Sequence, residues 1–266
     1  MSDSSDQGVS LKLAAAFFET VNVSPHSLAL FARHSQLRQK LMHFMGSYWD
    51  LIWWKESPSQ CDAREEVGNF RFLHPAAVTE YMGFSFSDDN LVSLGQVPFS
   101  AKRLRCAKDL RMMLMADPGL SIMEMKALFP DEFLQQSHFG DWELVRKKAD
   151  PSWVLIAVTP QGSNNLDFPA QDQKRQEHPE FRIPDARRQI FAMLAQNILH
   201  GSTFNGIIRT CDVMETKLGL RRVTVSYGAH GPIKISIDTW EDKISSDRIV
   251  LGLEMEPSKI KSDDDE

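Results

Sequence analysis

The sequence predicts an α+β protein: a helical N-terminal part, then a mixed, mostly antiparallel sheet with one or two helices packed on it. Three observations carry this. After Ser24-Pro25, Leu30, Leu37, Leu41, Phe44, Met45, Tyr48 and Ile52 recur at helical spacing. Ile190, Phe191, Leu194 and Ile198 give an apolar face to a segment that starts at Pro184-Asp185 and stops at Gly201. Val223, Val225 and Tyr227 alternate with Thr224 and Ser226. Beyond Gly228 to Pro232, Ile233, Ile235 and Ile237 alternate with Lys234, Ser236 and Asp238. That pattern is an antiparallel hairpin with one wet face.

In chain order, Ser24 is an N-cap and Pro25 suits the first helical position. The helix they open runs toward "GSYWDLIWWKES". At 100° per residue, Tyr48 and Ile52 fall in line with Leu30 and Leu41, and Trp49 and Trp53 sit at the shoulder of that line. Trp54 falls on the other side, among Gln36, Lys40 and His43, where either the following loop covers it or it marks a partner surface, for which tryptophan is a favoured anchor. "SPSQCDAREEVGN" reads as a polar loop or junction, and "SFSDDNLVSLGQVPFS" as loops flanking short strands.

Ser100 is placed to cap a short basic helix through "AKRLRCAKDL", and "LRMMLMADPG" reads as a buried strand that ends in a turn. Ser121 and Glu124 form a capping box for "SIMEMKALF". "SWVLIAVTP" and "GIIRTCD" are strands, and "KSDDDE" is a disordered acidic tail. The segments are therefore 1–57, helical; 58–138, mixed α/β; 139–256, α+β with the hairpin; and 257–266, the tail. A single domain over the first three stays open.

Bulk composition narrows the function. The 266 residues are 42% hydrophobic and 25% charged, which is ordinary for a protein with one sizeable core. No stretch approaches the roughly 18 apolar residues of a membrane span. A net charge of −6 disfavours strong nonspecific nucleic-acid binding. A nucleic-acid binder would need "KRLR", "RKK" and the pairs at 187–188 and 221–222 on one face. Arg187 and Arg188 are expected to point outward from their helix. Cys61, Cys106 and Cys211 are far apart, with no CxxC, so a reducing cytosol fits.

Common phosphate-binding, hydrolytic and zinc-protease signatures are absent, and the eight histidines include no i, i+4 pair. One carboxylate-rich stretch, "IDTWEDK", could supply Asp238, Glu241 and Lys243 to a divalent-metal nuclease-like site together with Asp212. A solvated turn is the simpler expectation there.

Residues 97–253 are similar to a group of bacterial hypothetical proteins with no established activity. The likeness runs through "VPFSAKRLRCAKDLRMMLMADPGLSIMEMKALFP", "WELVRK", "IPDARRQIFAML", "IIRTCD" and "WED", with Arg248 downstream. It implies a bacterial or mobile-element origin and an intracellular protein, and it supplies no reaction. A site shared with that group would use Arg209, Asp212, Tyr227, Trp240, Asp242 and Arg248, with Arg209 and Asp212 expected as an ion pair bracing the sheet.

The functional expectation is a cytosolic, non-enzymatic interaction or accessory protein with another protein as its partner and no cofactor or metal. The rival is a metal-dependent enzyme acting on a phosphodiester or nucleotide.

Overall fold

The fold comes from a computed structural model, which describes residues 56–134, 142–158, 163, 166–201, 206–217, 219–227, 232–238 and 249–258. The N-terminal helix, with Trp54, and the acidic tail lie outside the described residues, apart from Pro257 and Ser258.

The fold is α+β. Helix α1 (Pro58–Val67) leads through strand β1 (Phe72–Leu73) to helices α2 (Pro75–Met82), α3 (Asp88–Leu94) and α4 (Ala101–Asp109). Strand β2 (Met113–Asp117), helix α5 (Ile122–Leu128), strand β3 (Ser152–Ile156), helix α6 (Phe168–Gln176) and strand β4 (Phe181–Arg182) follow. Helix α7 (Ala186–His200) precedes β5 (Gly206–Thr216), β6 (Gly219–Tyr227), β7 (Ile233–Asp238), β8 (Ile249–Leu251) and β9 (Glu254–Met255).

Two mixed sheets result, in the orders β1-β2-β3-β9-β4 and β7-β6-β5-β8. The pairs β1/β2 and β5/β8 are parallel and the other ladders antiparallel. Strands from both sides of residue 139 share the first sheet. Helix α7 packs on β2 and β3 of that sheet and on β5 and β6 of the other. This explains its composition: Ala186, Ile190, Phe191, Ala192, Met193, Leu194 and Ala195 are all buried, so the helix is apolar nearly all round. Asp185 caps its first turn, and Gly201, at φ 58°, ends it in the left-handed region.

The expected caps at Ser100 and at Ser121/Glu124 are present. Two stretches differ from expectation. "SPSQCDAREEVGN" holds α1 rather than a loop. Ser57 Oγ accepts from Gln60 N–H, Gln60 Oε1 accepts from Ser57 N–H, and Pro58 opens the helix. Ser87 likewise caps α3 where loops and short strands were expected. The hairpin forms as predicted, with Val223 opposite Ile237 and Val225 opposite Ile235. Its polar face on β6 is largely covered, however, with Ser226 half-buried. Arg222 and Thr224 are buried, and the Arg222 guanidinium lies 3.6 Å from the Phe168 ring centroid.

No described helix is long and apolar enough to cross a membrane.

Candidate functional site

Strand β5 organises the site. Its register against β6 shifts between Arg209 and Val213, a bulge that frees main-chain groups from the ladder. The Thr210 carbonyl accepts from Arg222 Nη1 at 2.8 Å, and Cys211 N–H donates to the Pro184 carbonyl at 2.9 Å. Asp212 Oδ2 accepts from Ala186 N–H at 2.6 Å, at the start of α7. The bulge thus ties β5 to the head of the central helix. Burial pushes the Asp212 carboxyl above its ordinary range, Ala186 N–H pulls it back, and Asp185 adds repulsion. Cys211 is exposed on its outer side, yet desolvation by the protein around it, then the carboxylates of Asp212 and Asp185, push its thiol up to about 11, so it is not a thiolate at neutral pH.

Behind this lies a charge network that the sequence did not announce. Asp117 receives Arg187 on both oxygens, at 2.9 and 2.7 Å, and Gly119 N–H at 2.9 Å. Glu254 receives Arg188 at 3.0 Å and Arg182 at 2.5 Å. Arg187 is therefore buried and paired rather than outward-facing, and Arg188 is only part-exposed. These carboxylates are saturated by structural arginines.

Two other expected residues, Arg209 and Tyr227, also have structural partners. Arg209, 1% exposed, donates through Nη1 to the Leu166 carbonyl and to Gln171 Oε1. It goes there rather than to Asp212, so the expected brace is absent. Its side chain lies on the face covered by α6, while Asp212 turns to α7. Tyr227 hydroxyl bonds Glu132 and accepts from Asn197 at 2.8 Å, which clamps β6 to α7, and burial raises its pKa. Asp238 closes β7 in register with Arg222, which pairs with Val213, so its backbone stands two strands from the residue after Asp212. Trp240, Glu241, Asp242, Lys243 and Arg248 lie outside the described residues, as does Trp54.

Outside the bulge, β5 borders an open cleft of about 610 Å³. Asp212, Val213, Met214 and Glu215 form one wall; Glu143, Leu144, Arg146 and Lys147, from a 3-10 turn, form the other. Among the described residues, strand β8 pairs with β5 only at Ile207 to Arg209, so Val213 to Thr216 have β6 on one side and the cleft on the other. Thr216 pairs with Gly219 across a two-residue connection, which makes that pair hydrogen-bonded and Val213 and Glu215 non-bonded to β6. Their N–H and C=O groups therefore face the cleft.

No family model, curated protein or solved structure matches this chain. Among the described residues no group of three His, Cys, Asp or Glu side chains could hold a metal ion. The cleft offers, among the described residues, a strand edge with no further strand on it, apolar Val213, Met214 and Leu144, and charges of both signs. The sequence marked Asp212 and the "RKK" cluster separately; nothing in it brought them to the same cleft.

Proposed function

We propose that the chain is a cytosolic, non-enzymatic accessory protein that holds an extended segment of a partner protein against the open edge of β5. The observation that carries this is the run Val213 to Thr216, a strand edge that, among the described residues, faces a cleft instead of another strand. Free edges template added strands, and native folds usually blunt or cover them. Here the edge is walled by Glu143, Arg146 and Lys147, which would select the charges of an incoming peptide. Val213 and Leu220, 46% and 60% exposed, share one face of the projecting β5/β6 ribbon and add apolar contact area. Met112, by contrast, is buried, while Met123 is 39% exposed. Free Cys61, Cys106 and Cys211 suit a reducing compartment.

The metal-dependent enzyme reading would need Asp212, Asp238, Glu241 and Lys243 in one cleft, and no described contact favours it. A nucleic-acid reading loses two of its basic clusters as free surface, since Arg187 and Arg222 are buried.

Glu215→Pro tests the proposal, because its N–H faces the cleft and the ladder to β6 does not use it. Linear peptides selected from a displayed library on the wild-type protein should bind the proline variant at least roughly tenfold more weakly, with the melting temperature unchanged. Selected peptides that bind both proteins equally would remove the strand-addition model.

A further inference from the structure

A second cleft, of about 260 Å³, opens where β1 begins beside the end of α4. Arg71, Arg111 and His200 line it, Met113 and Val158 form apolar wall, and Phe70 stands at its rim, 72% exposed. Two guanidiniums and an imidazole thus share a small cavity whose described lining contains no carboxylate. Arg71 Nη1 donates to the Lys108 carbonyl at 2.7 Å, which anchors that guanidinium while leaving its other N–H groups available.

Arg111 makes the second, independent argument. Its φ is 56°, and it is the one non-glycine residue in the left-handed region among the described residues. It sits just past α4, where Met112 N–H reaches the Ala107 carbonyl and Arg111 N–H the Lys108 carbonyl, a Schellman-type closure. Glycine is the unstrained choice there, and Gly68, Gly83, Gly119, Gly201 and Gly219 fill the other positive-φ positions. An arginine held against its backbone preference, with no side-chain bond or ion pair among the described residues, brings its charge to the cleft.

We infer that this cleft binds a small phosphate monoester that carries an aromatic base, with a mononucleotide as the fitting class. Paired guanidiniums match phosphate oxygens in a forked geometry. The exposed Phe70 ring supplies a plane for the base. The volume lies just under the ~300 Å³ lower end of ordinary ligand pockets, which suits a mononucleotide and excludes a longer strand. Against a chain charge of −6, a cationic pocket with apolar walls also focuses field on an anion.

Calorimetric titration of the full chain with AMP and with inorganic phosphate at low salt tests this. Wild type should bind AMP saturably and more tightly than phosphate. Arg111→Gly, which relieves the backbone, should weaken AMP by roughly tenfold or more while the melting temperature holds or rises. Phe70→Ala should weaken AMP and leave phosphate unchanged. No saturable AMP binding, undiminished AMP binding by Arg111→Gly, or equal affinity for AMP and phosphate in wild type would overturn the assignment.

Discussion

Asp212 is pulled in two directions. Burial raises its pKa in the folded chain above the unfolded value, and Ala186 N–H only partly offsets that. A carboxylate shifted upward opposes folding while it is ionised in both states; this penalty begins to shrink as pH falls through its folded pKa and is gone only below the unfolded value. Asparagine keeps an oxygen for Ala186 N–H and carries no charge. Asp212→Asn should therefore be at least as stable as wild type at pH 7 in urea denaturation, with the difference closing as pH is lowered toward about 4. A variant that is clearly less stable at pH 7 would show that the negative charge at the head of α7 outweighs its desolvation.

At the scale of elements, α7 is held to the first sheet by the buried Asp117–Arg187 pair, with side chains 0% and 5% exposed. Removing one partner strands the other charge in the core. Arg187→Met should cost about 3–5 kcal/mol, whereas the double variant Asp117→Leu/Arg187→Met should recover most of it. Equal losses in single and double variants, by chemical denaturation, would mean that packing rather than charge dominates. This pair also shows what local sequence could not convey. Asp117 and Arg187 are 70 positions apart, so the helix pattern that located α7 gave no hint that one of its adjacent arginines was buried. Caps were legible because they are local: Ser100 and Ser121 sat before recognisable runs. Ser57 carried the same signal, but α1 buries only Gln60, Ala63 and Val67, too sparse an apolar period to stand out among charged residues. Asp212 was recognisable as an acid near a strand, while its partner Ala186 and the opposite wall at Glu143 to Lys147 are products of tertiary folding.

Across the whole molecule, the first sheet is assembled out of chain order. Strand β9 lies between β3 and β4, with Leu155 and Phe181 both in register with Met255. Glu254, at 1% exposure, meanwhile neutralises Arg182 and Arg188. A chain truncated after Gly252 should lose the single cooperative unfolding transition seen by circular dichroism; retention of the wild-type midpoint would show β9 to be dispensable. During synthesis the ribosome delivers β3 roughly a hundred residues before its neighbour, about 5–20 s at ordinary elongation rates. Until then β3 and β4 each present an unpaired edge and two arginines await their acid, so the nascent protein spends that interval exposed to chaperones and to mispairing with other copies of itself.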